Sequence, residues 1–174
     1  KFVFGMEESH GFLMGNHSGD KDGIWASMAF AEMAAALKEN KLTPIDRLNQ
    51  IYQQYEVHLD ALGTQTFKGT KGMAKIQQIM RELRNSPPES VAGQAVVKIT
   101  DYLENKIICG NETRQGPGLP QSNVIALELA DNSRITARPS GTEPKIKYYF
   151  NLQGKDSEML NRRLASIQAD FIKD

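Results

Sequence analysis

Hydrophobic residues recur at helical spacing in several stretches of the chain. The longest stretch, residues 24–37, is rich in Ala and contains neither Gly nor Pro, so it predicts a helix. Its apolar residues are distributed nearly all the way around the helix axis, which predicts that the helix is buried on more than one side. Thr43 and Asp46 flank Pro44 ahead of a second helix that reaches about residue 57. Further helices are predicted over residues 73–84 and from Asp156 to the region of Phe171.

An alternating pattern replaces the helical one in the second half of the chain. Strands are predicted over residues 94–100, 123–129, 133–138 and 145–152, with a hairpin turn at residues 130–132. The Gly- and Pro-rich residues 105–122 predict an extended loop. This order of elements predicts an α+β fold: a C-terminal antiparallel four-stranded sheet with helices on one face, preceded by a mainly helical remnant of an α/β domain.

The first residues predict a strand without a partner. The chain begins with KFVFG rather than with Met, and the residues up to 56 show no second strand pattern. Because a lone strand is not stable, we expect the chain to be a fragment of a longer protein. Residues 62–72 turn to Gly and Thr and predict a linker, so the domains are predicted as residues 1–62 and 63–174.

Composition narrows the classes of function. The 174 residues are 40% hydrophobic and 24% charged, as is typical of globular proteins. No apolar run approaches the ~20 residues that a membrane helix needs. We therefore expect no membrane partner. Since 21 basic residues balance 21 acidic ones, we also expect no nucleic-acid partner. Cys109 has no second Cys with which to form a disulfide, which favours the cytoplasm.

The sequence RPSGTEPKIK, residues 138–147, concentrates anion-binding groups in a turn between two predicted strands. Gly141 can turn the backbone so that successive N–H groups converge. Ser140 and Thr142 add hydroxyl donors, and Arg138 offers a planar fork that matches two phosphate oxygens. These residues predict a phosphate site without a metal, and a turn with solvated charges is the alternative.

A second polar segment, GMEESHG at residues 5–11, directly follows the opening strand. Glu7 and Ser9 are two residues apart, so in extended backbone they project from the same side. There they could hydrogen-bond vicinal hydroxyls of a sugar. An exposed acidic turn is equally consistent with this segment.

A third polar segment lies just before the long helix. Asp22 suits an N-cap. Lys21, however, places a cation at a helix N-terminus, where the dipole disfavours it unless an anion is also there. Asp20 and Asp22 lack a third ligand at suitable spacing, so no metal site is predicted.

These segments resemble the alpha-D-phosphohexomutases, and within them the phosphoglucomutase and phosphopentomutase branch. The resemblance rests on GMEESHG (residues 5–11), DKDG (20–23), PP (87–88), VAG (91–93), SNV (122–124) and above all RPSGTEPKIKYY (138–149). It covers essentially the whole chain in the right order. It implies that the chain is the end of the family's sugar-binding third domain and all of its phosphate-binding fourth domain.

The resemblance implies an isomerase that moves phosphate between O1 and O6 of an aldohexose through a phosphoserine enzyme. It also implies a sugar phosphate as substrate, Mg as cofactor and glucose 1,6-bisphosphate as the intermediate. By position it assigns sugar hydroxyls to Glu7 and Ser9, and the reacting oxygen or phosphate to Lys21, the catalytic candidate. It assigns the non-transferred phosphate to Arg138, Ser140, Gly141, Thr142 and Lys147.

The family's phosphoserine loop and its Asp-rich magnesium loop belong to its first two domains, and neither motif occurs in this sequence. We therefore expect the missing N-terminal domains of the same polypeptide to be partners, and the chain alone to be inactive. The order His10-Gly11 reverses the Gly-His of the mannomutase branch, so His10 is assigned no role, and Lys21 favours a glucose-type mutase. A free-standing, non-catalytic sugar-phosphate or anion-binding module is the alternative.

Overall fold

In the computed structural model, which describes residues 2–7 and 11–172, the chain divides into units of residues 1–55 and 56–174. The smaller unit contains strands β1 (Phe4–Met6) and β2 (Phe12–Met14) and helices α1 (Gly23–Glu39) and α2 (Pro44–Tyr55). The strands form an antiparallel hairpin in which Phe4 pairs with Met14. The prediction of a solitary opening strand is therefore wrong, because the 3 residues of β2 are too few to show an alternating pattern.

Polar side chains fix where both helices begin. Asp22 Oδ1 accepts hydrogen bonds from the backbone N–H groups of Ile24 and Trp25, each at 3.0 Å. The Thr43 N–H donates to Asp46 Oδ2 at 2.8 Å, and the Asp46 N–H donates to Thr43 Oγ1 at 3.1 Å. These reciprocal bonds satisfy backbone donors that a helix leaves unpaired, and they confirm the predicted starts.

Helix α1 makes its main contacts with β2 and α2. None of its described residues is buried, and Ile24 and Phe30 remain 78% and 58% exposed. The predicted burial on more than one side is therefore not found in the described part of this unit. A short strand and one helix are too small to cover an apolar surface that runs all round α1.

The larger unit is a sheet covered by helices. Its elements are β3 (Val57–Thr66), α3 (Thr70–Asn85), β4 (Ser90–Val91), β5 (Gln94–Asp101), β6 (Lys106–Cys109), β7 (Glu112–Gln115), β8 (Ile125–Leu129), β9 (Arg134–Pro139), β10 (Lys145–Gly154) and α4 (Ser157–Phe171). The strands form one antiparallel, 8-stranded sheet in the order β3-β10-β9-β8-β5-β6-β7, with β4 beside β5. The α+β class is confirmed, whereas the predicted number of strands is too small.

The predicted linker and the predicted loop supply most of the extra strands. Strand β3 extends through residues 62–66, so the division of the chain at Tyr55 lies before β3 rather than at residue 62. Gly63 leaves room for a core aromatic side chain, because a Cβ there would lie 3.1 Å from the Phe150 ring. Residues 105–122 contain the hairpin of β6 and β7, which turns at Gly110 with a φ of +56°. These Gly residues therefore serve a close approach and a tight turn rather than loops.

The core lies between one face of the sheet and helices α3 and α4. Ile135 of β9 and Phe150 of β10 are 0% exposed. Ile76 of α3 and Ile167 of α4 belong to the same buried cluster, so both helices cover the same face. Because side chains alternate along a strand, the residues of β9 and β10 between the buried ones point to the opposite face.

Candidate functional site

A depression of about 310 Å³ opens at the turn between β9 and β10. It is lined by Arg138, Pro139, Ser140, Gly141, Thr142, Glu143, Lys145 and Lys147. The structure therefore brings together every residue assigned above to phosphate binding. It also adds Pro139, Glu143 and Lys145, which were given no role in the sequence analysis.

Arg138 and Lys147 are direct cross-strand neighbours in the register of β9 and β10. Both alternate with buried residues, so both side chains lie on the sheet face opposite the core. Side chains directly opposite each other have Cβ atoms about 4.5–5.5 Å apart. Within the part of the chain that the structure describes, the exposed Arg138 guanidinium makes no hydrogen bond or ion pair. Its donors therefore remain open to a ligand.

The turn itself is ordered by Ser140. Its N–H donates to the carbonyl oxygen of Lys145 at 2.9 Å. Its Oγ accepts long hydrogen bonds from the N–H groups of Thr142 at 3.5 Å and Glu143 at 3.3 Å. Gly141 does not adopt a positive φ, and a Cβ added there would meet no atom within 4 Å. The N–H groups of Thr142 and Glu143 thus converge on the Ser140 hydroxyl, and the turn does not require the conformational freedom of glycine at Gly141.

The depression has an excess of positive charge. Arg138, Lys145 and Lys147 contribute cations, and Glu143 contributes the one carboxylate among the lining residues. The Glu143 carboxylate forms an ion pair with the Lys145 ammonium group. One sequence signal could have found Lys145, which lies two residues before Lys147 on the same strand and so on the same face.

In the smaller unit, Glu7 and Lys21 form an ion pair. Lys21 Nζ donates to Glu7 Oε2 at 3.2 Å and to Oε1 at 3.4 Å, and Asp20 Oδ1 lies 3.9 Å from the same nitrogen. The hydrogen bond to Glu7, with its negative charge, raises the pKa of Lys21. These carboxylates are the anions that offset the cation near the start of α1. Ser9, the other residue predicted to bind sugar, lies outside the described residues.

Gly11 makes room for this ion pair. A Cβ at Gly11 would lie 2.2 Å from Lys21 Cδ and 3.3 Å from Glu7 Oε2. The Gly11 carbonyl oxygen also accepts a hydrogen bond from the Glu7 N–H at 2.8 Å. The sequence alone does not indicate this role, because the role depends on the hairpin of β1 and β2.

The Asp22 carboxylate caps the N-terminus of α1 and also contacts His17. Its Oδ2 lies 3.2 Å from His17 Nε2, and the hydrogen bond from the Trp25 N–H is the largest factor that lowers its pKa. Among the described residues, no group of three or more His, Cys, Asp and Glu is placed to hold a metal ion. The described helices also include none with the length and hydrophobicity to cross a membrane.

Comparison with known proteins relates the chain to sugar-phosphate mutases. Residues 1–55 match the family model of the phosphoglucomutase/phosphomannomutase alpha/beta/alpha domain III. Over 163 residues, 93% of the chain, the sequence is 37% identical to a phosphoglucomutase of Staphylococcus aureus strain MRSA252. Over 152 residues, 87% of the chain, it is 40% identical to a phosphoglucomutase of strain USA300. The chain belongs to the phosphohexomutase family.

This phosphohexomutase chain spans 29% and 27% of the length of those two relatives. A solved structure, the open form of the exocytosis-sensitive phosphoprotein pp63/parafusin, a phosphoglucomutase from Paramecium, also matches. The alignment covers 93% of the phosphohexomutase chain and 30% of the Paramecium chain. Its TM-score is 0.57, and the sequence identity is 20%. That likeness supports the fold.

Proposed function

We propose that this chain is the C-terminal part of a phosphoglucomutase-like enzyme that interconverts sugar 1-phosphate and sugar 6-phosphate through a phosphoserine enzyme. The proposal is supported by the family and by relatives that are phosphoglucomutases. Since the chain spans 29% of the first relative's length, the activity is proposed for the whole protein. Within the whole protein, the role proposed for this chain is to bind and orient the substrate.

The observation that carries the proposal is the cross-strand pair of Arg138 and Lys147. Two cations directly opposite each other on one face of a sheet are close enough to contact the same dianionic phosphate. The Arg138 fork suits two phosphate oxygens, and the hydroxyl groups of Ser140 and Thr142 belong to residues that line the same depression. We assign to it the phosphate that is not being transferred.

In the smaller unit we propose that Lys21 acts next to the reacting oxygen or phosphate. The hydrogen bond to Glu7 favours the charged form of Lys21, and a cation there stabilises charge that develops on the transferred group. We propose that Glu7 and Ser9 bind sugar hydroxyls. A carboxylate has about four lone-pair sites, so Glu7 can accept from a hydroxyl group while it holds Lys21.

The family implies magnesium, which neutralises phosphate charge when it is bound. The described residues provide no cluster of three or more suitable side chains, so none of them is assigned as a ligand. We propose that the metal ligands belong to other domains of the whole protein.

Phosphate titration of this chain, followed by NMR, tests the assignment of the depression. We expect inorganic phosphate to shift the amide signals of Ser140 and Thr142, and Arg138→Ala to weaken binding at least tenfold. Arg162→Ala is the control, because Arg162 is 81% exposed on α4 outside the depression. An unchanged phosphate affinity in Arg138→Ala would contradict the assignment.

In the whole protein, Arg138→Ala should slow glucose 1-phosphate conversion, and a rate within twofold of the unsubstituted enzyme would contradict the proposed activity.

A further inference from the structure

The depression contains a carboxylate that a phosphate site does not need. Glu143 lines it together with the three cations, and its negative charge repels a bound anion. The turn uses only the backbone of Glu143: its N–H donates to Ser140 Oγ at 3.3 Å, and its carbonyl oxygen accepts from the Lys145 N–H at 2.7 Å. The side chain of Glu143 makes neither of these turn hydrogen bonds.

The Glu143 side chain is placed to act on Lys145. The two side chains form an ion pair. The register of β9 and β10 ends where Ile146 pairs with Pro139, and the turn that carries Glu143 leads directly into Lys145, the first residue of β10. The side chain of Glu143 is 59% exposed, against 28% for Lys145. Glu143 is thus the partner that can move into solvent while Lys145 stays at the depression.

We propose that Glu143 is an internal counter-ion, which occupies Lys145 until phosphate displaces it and thereby sets the affinity of the site. This inference rests on the proposed function of the depression. An ion pair that is partly open to water, as this one is, contributes little free energy. A phosphate dianion carries more charge and more acceptor oxygens than a carboxylate, and it contacts the other cations at the same time. It therefore competes successfully for Lys145, at an affinity lower than an unoccupied Lys145 would give.

Calorimetric titration with inorganic phosphate at low ionic strength tests this role in the full chain. The variants are Glu143→Gln, Lys145→Met and the double substitution. We expect Glu143→Gln to bind phosphate about fivefold more tightly, the scale of a nearby like charge removed from a solvated site. In the Lys145→Met background the same substitution should change the affinity by no more than about twofold, because the cation that it releases is gone.

Glu158→Gln is the matched control for the loss of one negative charge. Glu158 is also exposed and ion-paired, with Arg162 on α4, and it is not among the residues that line the depression. Its substitution should leave the phosphate affinity unchanged. A gain in Glu143→Gln no larger than that of Glu158→Gln would overturn the inference. An equal gain with and without Lys145 would also overturn it, because Glu143 would then act by direct repulsion of the anion.

The outcomes separate this inference from the function on which it rests. If Arg138→Ala abolishes phosphate binding while Glu143→Gln leaves it unchanged, the phosphate site stands and the counter-ion is rejected. If only Glu143→Gln binds measurably, the counter-ion role is supported in its strongest form. If neither the unsubstituted chain nor Glu143→Gln binds phosphate, both proposals are rejected.

Discussion

Arg138 and Lys147 lie directly opposite each other on β9 and β10, on the sheet face that points away from the core. The residues that alternate with them hold this register. Ala137 and Ile146 are 0% exposed, and Tyr148 is 3% exposed. A slip of one residue would expose these side chains to water and bury the cations. Core packing therefore imposes a pairing of like charges that the two side chains alone would disfavour.

Arg138→Gln is expected to keep or slightly raise the stability of the chain while it weakens phosphate binding at least tenfold. The substitution removes a cross-strand repulsion worth roughly 0.2–1 kcal/mol. It also removes the charged fork that is proposed to hold phosphate. Urea unfolding and phosphate calorimetry on the same preparation measure the two effects.

Arg162→Gln provides the comparison, because it removes an equally charged and exposed side chain from α4. It should leave the phosphate affinity unchanged. A loss of more than about 1 kcal/mol in the unfolding free energy of Arg138→Gln would show that Arg138 stabilises the fold and that its repulsion from Lys147 does not dominate.

Gly141→Ala is expected to be stable but impaired in phosphate binding. Gly141 has no positive φ, and an added Cβ would meet no atom within 4 Å. The chain itself therefore tolerates a methyl group there, and reduced backbone freedom in the unfolded state adds up to about 1 kcal/mol of stability. An anion bound against the turn would meet that methyl group. Thermal unfolding with and without phosphate separates the two effects.

Gly72→Ala is the comparison for stability, because an added Cβ at Gly72, unlike one at Gly141, would clash with backbone atoms. A Cβ at Gly72 would lie 2.5 Å from the Phe67 carbonyl oxygen, so backbone must shift and the free energy of unfolding should fall by about 1–3 kcal/mol. If Gly141→Ala lost as much stability as Gly72→Ala, the open space described at Gly141 would be wrong. If it bound phosphate normally, the backbone of Gly141 would not contact the anion.

The sequence predicted the elements whose signals are local. Ile146 lies between two Lys residues of β10, and Asp22 marks the start of α1 by its capping chemistry. The residues of the depression were found because they lie within a span of ten consecutive positions, residues 138–147. Their phosphate-binding role, like that of Ser9 for sugar, stays a prediction.

The sequence did not predict features that depend on distant pairing. Strand β3 is held by β10, in which Tyr148 pairs with Gly63, and no local pattern at Gly63 indicates that partner. Glu7 and Lys21 are 14 residues apart. The hairpin of β1 and β2 brings them together, and its strands are too short to be recognised from the sequence. Their opposite charges made a contact possible, but only the fold decides that they meet.

Gly11→Ala is expected to separate Lys21 from Glu7. The added Cβ would lie 2.2 Å from Lys21 Cδ, and a flexible side chain is what must move. Since Glu7 is the main cause of the raised pKa of Lys21, the pKa of Lys21 should fall towards its ordinary value. NMR titration of the Lys21 side-chain carbon next to Nζ measures it.

Gly19→Ala is the control for that titration, because a Cβ at Gly19 would meet no atom within 4 Å. It should leave the pKa of Lys21 unchanged, whereas Glu7→Gln should lower it as Gly11→Ala does. If Gly11→Ala left the pKa of Lys21 where it was, the Lys21 side chain would not cross Gly11, and the role given to this glycine would be rejected.

Asp131 is expected to make the larger unit less stable in acid. Burial by itself raises its pKa, but the hydrogen bond from the Ser133 N–H and the ion pair with Arg163, at 2.8 Å from Nε to Oδ2, bring the pKa below its ordinary value of 3.8. A group with a lowered folded-state pKa stabilises the fold above its unfolded-state pKa, and it loses that contribution as the pH falls through the folded-state value.

Asp131→Asn should therefore lower the free energy of unfolding by about 1 kcal/mol at pH 7, and the difference from the unsubstituted chain should shrink below about pH 4. Urea unfolding from pH 7 to pH 3 measures this difference, with the exposed Glu158→Gln as control. A difference that stayed constant over this range would mean that the charge of Asp131 does not contribute to stability.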